Sequence, residues 1–215
     1  MNTNDSKFLP FNVFNFFFIR HAPTAANYTG SMVNGYDNAD IVSMEKPSDW
    51  EDRVGKFVPR DPRIPIFSSP AKRCRQTVHM LFGDAKIIKS ALFSEFDCAG
   101  LGDRKFWEIT EEEFNSCVNV RTSDMLERAH LIFRDFSRQL ESEYSTRTCI
   151  VVSHGMLIRY LYHYMNNNSD ISPFDVINSK GFSFSNLDML RIVYDPTIDH
   201  RYAKAYPYNP PVEHQ

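Results

Sequence analysis

Two stretches carry side chains of the kind that move phosphoryl groups and protons. Arg20-His21 follows the apolar run Phe16-Phe17-Phe18-Ile19, and His154-Gly155 follows Thr148-Cys149-Ile150-Val151-Val152-Ser153. Aromatic and β-branched residues suit a buried strand, whereas an Arg-His pair at its end needs polar partners. Between the two lies Ser68-Ser69-Pro70-Ala71-Lys72-Arg73-Cys74-Arg75-Gln76-Thr77. Ser69 as N-cap and Pro70 at the first helical position predict a helix start, whose free N–H groups and dipole attract an anion. Arg20 and Arg73 can fork the oxygens of one phosphoryl group and remain charged at any relevant pH. Two histidines beside such a trap divide into roles. One, neutral at its attacking nitrogen, is a nucleophile toward phosphorus, and the other donates hydrogen bonds as charge develops. A leaving oxygen then needs a proton, for which Glu95 and Asp97 are the candidates and Glu111, Glu112 and Glu113 the substitutes.

Other chemistries fit less well. The sequence holds no GxxxxGK[ST] or GxGxxG phosphate loop, no HExxH pair and no GxSxG elbow. Nothing in it demands a metal or a cofactor. Lys72 and Arg75 read as solvent-exposed helix residues. His79, His130, His163, His200 and His214 lack a strand end and an arginine beside them, and read as structural. The four cysteines show neither a CxxC pair nor zinc-ligand spacing, so they read as reduced thiols. A formal charge of -3 gives no basic field for nucleic acid or an acidic membrane, so a bound anion must be held by a local cluster. No segment reaches the ~20 apolar residues of a membrane span. Phe8 to Ile19 resembles a signal peptide, but Asn12 and Asn15 interrupt it and cleavage near Ala25-Ala26 would discard His21. A cytoplasmic protein is expected.

The elements that must position these residues follow from periodicity. Strands are predicted over Phe14 to Ile19, Pro65 to Ser68 and Thr148 to Ser153, with a weak signal at Ile87-Ile88. Apolar residues at 74, 78, 81 and 82 give the helix after Ser69 a buried stripe, which Gly83 ends. A second helix runs from Ser123 to Tyr144 and a third from Met156 to Met165. Ala25 to Arg63 reads as a polar surface segment with a short helix near Ser48 to Phe57. Phe182 to Tyr194 reads as a hairpin at a sheet edge. Alternating strands and helices predict an α/β fold with a mostly parallel sheet, in which ligands bind beyond the carboxyl ends of the strands. The expected division is an N-terminal arm (1–13), one domain (14–195) and an irregular C-terminal tail (196–215).

Arg20-His21-Ala22-Pro23-Thr24, the Ser68 to Thr77 block and Ser153-His154-Gly155 together resemble, in order and spacing, the signature blocks of the histidine phosphatase superfamily, the phosphoglycerate mutase-like group. The resemblance spans roughly Phe14 to Tyr194. It implies a three-layer α/β/α sandwich, with His21 as the phosphorylated nucleophile and Arg20, Arg73 and His154 around the phosphate. It further implies Asn27 as a pocket residue and Glu95 as the proton donor. Ala22 stands where the family usually has glycine, and Gly100 is displaced from the family's position after Glu95. The activity so implied is hydrolysis of a small phosphorylated substrate through a phosphohistidine. A phosphoglycerate-type mutase and a catalytically silent phospho-ligand binder are the alternatives. The short interval between Glu95 and His154 leaves little room for the lid a mutase needs. Neither the substrate nor the oligomeric state is legible in the sequence.

Overall fold

The computed structural model describes residues 12–30, 38–101, 105–178, 182–197 and 200–207. A six-stranded sheet runs through its centre in the order β3-β2-β4-β1-β5-β6. These strands are β1 (Phe14–Arg20), β2 (Ile66–Ser68), β3 (Ile87–Lys89), β4 (Thr148–Ser153), β5 (Met189–Asp195) and β6 (His200–Tyr206). The first four are mutually parallel, β5 is antiparallel to β1, and β6 is antiparallel to β5. The helices are α1 (Ala25–Thr29), α2 (Trp50–Arg53), α3 (Lys72–Phe82), α4 (Glu111–Cys117), α5 (Thr122–His130), α6 (Ser137–Tyr144), α7 (Gly155–Met165) and α8 (Pro173–Ile177). A wider π turn, Leu131–Phe136, joins α5 to α6.

The period-2 geometry of β1 sorts its side chains between two cores. Phe14, Phe16 and Phe18 enter a layer formed with Phe133 and Phe136 before α6 and with Leu157 and Tyr160 of α7. Phe17 and Ile19 point the other way, onto Trp50 and Val54 and onto Cys74, Val78 and Leu81 of α3. Apolar side chains on both faces are what a mostly parallel sheet covered by helices requires, and the result is the expected three-layer α/β/α sandwich.

Three boundaries differ from expectation. Helix α3 begins at Lys72, with Ala71 still extended (φ -57°, ψ 139°), and not at Pro70. Ser69 N–H donates to the carbonyl of Val152 at 3.1 Å, so the β2–β4 ladder continues past the strand and keeps the backbone out of the helical region. The hairpin lies after Met189 and not within Phe182 to Tyr194, because β5 pairs with a strand C-terminal to it. The tail is therefore not irregular throughout. Residues 200–206 form β6, a sequence too poor in large apolar residues to declare itself and ordered by the β5 ladder it completes. Residues 1–11 of the expected arm lie outside the described residues; Val13 is buried.

Candidate active site

Adjacent strands β2, β4 and β1 end at the same edge of the sheet, and their ladders run on into the residues that follow. His21 N–H donates to Ser153 O at 2.9 Å, as Ser69 N–H does to Val152 O. Sheet hydrogen bonding thus carries His21, Ser69 and His154 to one place. The imidazoles of His21 and His154 meet edge to face, with centroids 5.4 Å apart. Both are buried, and so is Arg73 at 1% exposure.

Hydrogen bonds settle both tautomers. His21 Nδ1 lies 2.8 Å from the carbonyl of Ala22. A carbonyl only accepts, so Nδ1 carries the proton and Nε2 keeps its lone pair. Arg73 Nη2 lies 3.2 Å from His154 Nδ1. A guanidinium only donates, so His154 accepts there and donates from Nε2 to Ser69 Oγ at 2.8 Å. Burial, followed by the charges of Arg73 and Arg20, holds His21 well below the usual histidine range. Burial, Arg73, His21 and Arg20 do the same for His154. Burial and arginine charge thus favour the neutral form of both rings.

Arg20 ends β1 and crosses the start of α7. A Cβ on Gly155 would stand 3.0 Å from Arg20 Nε, so glycine is what admits the guanidinium this close to the helix. Burial and the neighbouring Arg159 push Arg20 down to about 10 against the opposing charges of Glu95 and Asp188, which leaves it cationic. Arg73 is steadied through α3. Thr77 Oγ1 donates to Arg73 O at 2.7 Å and accepts from Ala22 N–H at 2.8 Å.

Glu95 reaches the site from the loop after a 3-10 turn at Ala91–Phe93. Its carboxylate accepts from Met156 N–H and Leu157 N–H, both at 3.1 Å, and from Phe96 N–H at 3.2 Å. It therefore sits on the positive end of α7, the helix that begins after His154. Asn27, on α1, accepts through Oδ1 from Thr24 N–H, Thr24 Oγ1 and Asn186 Nδ2, which leaves its NH2 as the group it can offer a ligand.

A cavity of about 280 Å3 collects these groups: Arg20, His21, Asn27, Arg73 and Glu95 line it. His154 stands behind Arg73. Asp97 is exposed and does not line the cavity, and neither do Glu111, Glu112 and Glu113 in the first turn of α4. Ala22 lies away from it, buried in the core beneath α3, and its φ is not positive. A Cβ is accommodated there and does not narrow the phosphate side. Lys72 pairs with Asp40 at 2.7 Å.

Sequence reasoning missed Arg159 and Asn186, which also line the cavity. Arg159 was detectable as the single charge in an apolar helix. Its Nη1 and Nη2 donate to the carbonyls of Ile177 and Phe184, each at 3.1 Å. Asn186 left no local signal, since its contact with His21 spans 165 positions. The four cysteines are free. Burial pushes the thiols of Cys74 and Cys98 up to about 12, and Cys98 lines the cavity as a neutral wall. Among the described residues, no three His, Cys, Asp or Glu side chains come together to hold a metal ion. No helix among them is long and apolar enough to cross a membrane.

No curated protein matches the chain by sequence. Solved structures match it closely in fold. One is a phosphoserine phosphatase from Entamoeba histolytica in complex with 3-phosphoglyceric acid. It has 17% identity and a TM-score of 0.67 over 91% of this chain and 98% of that one. A phosphoglycerate mutase from Bacillus anthracis has 15% identity and a TM-score of 0.66 over 90% and 92%. A mycobacterial glucosyl-3-phosphoglycerate phosphatase has 13% identity and a TM-score of 0.65 over 92% and 100%. At these identities the likeness is one of fold. The sequence profile of the histidine phosphatase superfamily (branch 1) matches residues 16–191, a span that runs from the strand before His21 to the middle of β5. This chain belongs to that superfamily.

Proposed function

We propose that the protein hydrolyses a small phosphomonoester in two steps through a phosphohistidine on His21. The observation that carries this reading is the His21 tautomer. Nδ1–H is committed to Ala22 O, and the unprotonated Nε2 is available beside the Arg20 and Arg73 guanidiniums. The two arginines and the Asn27 amide hold the phosphoryl oxygens. Nε2 bonds to phosphorus as the bond to the alcohol oxygen breaks, and Glu95 gives that oxygen its proton. The Glu95 carboxylate then takes a proton from water, whose oxygen attacks phosphorus. The N–P bond breaks, phosphate leaves, and His21 is restored.

His154 serves by holding Arg73, accepting from its Nη2 at Nδ1 while Nε2 donates to Ser69. The free thiols fit a cytoplasmic setting. The small phosphorylated acids seen with the Entamoeba histolytica phosphoserine phosphatase, 3-phosphoglyceric acid and, in a mutant of it, phosphoserine, are of a size that suits the modest cavity.

The test uses purified protein, an aryl phosphate and excess chelator. Wild type should release phosphate and form an acid-labile phosphoprotein, and His21→Ala should lose at least about 10³-fold in turnover and all of the phosphoprotein. Turnover that survives in His21→Ala would exclude the mechanism. With 3-phosphoglycerate as substrate, free phosphate should outpace any 2-phosphoglycerate, since the reverse would mark a mutase.

A further inference from the structure

The nucleophile is gripped from a direction that none of the signature blocks supplies. Before β5 the chain makes a tight turn, in which Ser185 N–H donates to Asp188 Oδ2 at 2.5 Å and Asp188 N–H to Ser185 O at 3.2 Å. Within it Leu187 is held at φ +65°, a region bulky side chains avoid. Such a conformation persists where the surroundings over-determine it. Leu187 is buried, its carbonyl accepts from Trp50 Nε1 at 3.2 Å, and its N–H donates to Arg20 O at 3.1 Å.

The rest of the turn is aimed at the same dipeptide. Arg20 N–H donates to Asp188 O at 3.1 Å and Arg20 Nη1 to Phe184 O at 2.6 Å. Arg159 Nη2 donates to that same Phe184 carbonyl at 3.1 Å. At the apex, Asn186 Nδ2 donates to His21 O at 2.8 Å and to Asn27 Oδ1 at 3.2 Å. The His21–Ala22 peptide is therefore held at both edges, its oxygen by Asn186 and its N–H by Thr77 Oγ1. Rotation of that peptide would swing the imidazole off its line and move the Ala22 carbonyl that fixes the tautomer. Only a group with two hydrogens on one atom can serve both His21 O and Asn27 Oδ1. Serine and threonine have one, and an ionised aspartate has none.

We infer that Asn186 is a positioning residue for phosphoryl transfer: it pins the His21–Ala22 peptide opposite Thr77 and ties it to Asn27, so that His21 Nε2 keeps its aim at phosphorus. The inference rests on the phosphomonoesterase reading above.

Asn186→Ala should lower kcat about 10- to 100-fold, the scale of a small misplacement of a reacting group. The competitive inhibition constant of inorganic phosphate should stay within about twofold, because Arg20 and Arg73 remain. Asn186→Asp, of equal volume, has no hydrogen to donate while ionised and one when protonated, enough for His21 O but not also for Asn27 Oδ1. Its activity relative to wild type, measured at each pH, should climb as pH falls toward about 4, where the carboxyl regains a hydrogen.

Three results would overturn the inference: kcat within about twofold of wild type in Asn186→Ala, phosphate affinity falling in step with kcat, or a flat ratio across pH in Asn186→Asp. Should Asn186→Ala not fold, the Asp variant carries the test alone. Should wild type hydrolyse nothing, the phosphomonoesterase reading falls by itself, and the 15N signals of the His21 ring decide the positioning role. A changed Nδ1/Nε2 pattern in either variant supports it, and an unchanged one overturns it.

Discussion

The two walls of the cavity that holds His21 are built differently. The phosphate wall stands on the ends of β1, β2 and β4, whose central residues Phe18, Ile19 and Val152 are fully buried, and sheet ladders extend into His21 and Ser69. The opposite wall is made of the Glu95 loop, the short helix α1 and the turn at Ser185–Asp188. Side-chain-to-backbone hydrogen bonds between segments far apart in sequence hold it. A strand end in a covered sheet moves little, whereas a loop tolerates change. On the proposed function, the nucleophile and both arginines stand on the wall built from the sheet, while the acid stands on the wall built from loops, from which Asn27 and Asn186 reach across.

The largest expected effects follow from weakening one wall at a time. Arg73→Ala should cost about 10³-fold in kcat/KM, and Arg73→Lys should recover little, because one ammonium cannot match a guanidinium that forks phosphoryl oxygens while holding His154 Nδ1. Asn27→Ala, on the loop wall, should cost only about tenfold. Steady-state kinetics on one aryl phosphate checks the order, and a reversed order would end the comparison.

Glu95→Gln should separate substrates by leaving group. An alkyl phosphate, whose alcohol needs the proton, should lose about 10²-fold, and an aryl phosphate about tenfold or less. Equal losses would give Glu95 a binding role and remove acid catalysis from the loop wall.

The smallest effect is on stability and belongs to the phosphate wall. His21 and His154 are held below the usual histidine range by burial and arginine charge. Below about pH 6.5 the unfolded chain takes up protons that the native rings refuse. The stabilisation is therefore fully present above that pH and is lost as pH falls, by about 1.4 kcal/mol per unit for each ring that stays neutral. Denaturant midpoints should drop between pH 7.5 and 5.5, and His154→Gln should flatten the slope. An unchanged slope in that variant would mean that His154 titrates freely in the fold.

Much of the phosphate wall was legible because its signals are local. Apolar runs of strand length stop at Arg20-His21 and His154, and an N-cap-like serine precedes Arg73. Burial on both faces of a parallel sheet demands such runs, and the α/β order follows from them. The start of α3 was misplaced by two residues because an inter-strand hydrogen bond overrode a strong local helix signal. Strand β6 was missed because its order comes from pairing with β5.

The sequence alone determined that a histidine and an arginine would end the first strand, that a second strand-end histidine would follow, and that Arg73 would open a helix. Covalent order and side-chain period dictate those facts. Tertiary structure decided that Glu95 and not Asp97 lines the cavity, that Ala22 turns away from it, that Arg159 and Asn186 belong to it, and which nitrogen of each histidine bears the proton. Each depends on a hydrogen bond or contact between chain segments brought together only by folding, and no local pattern encodes such a partner.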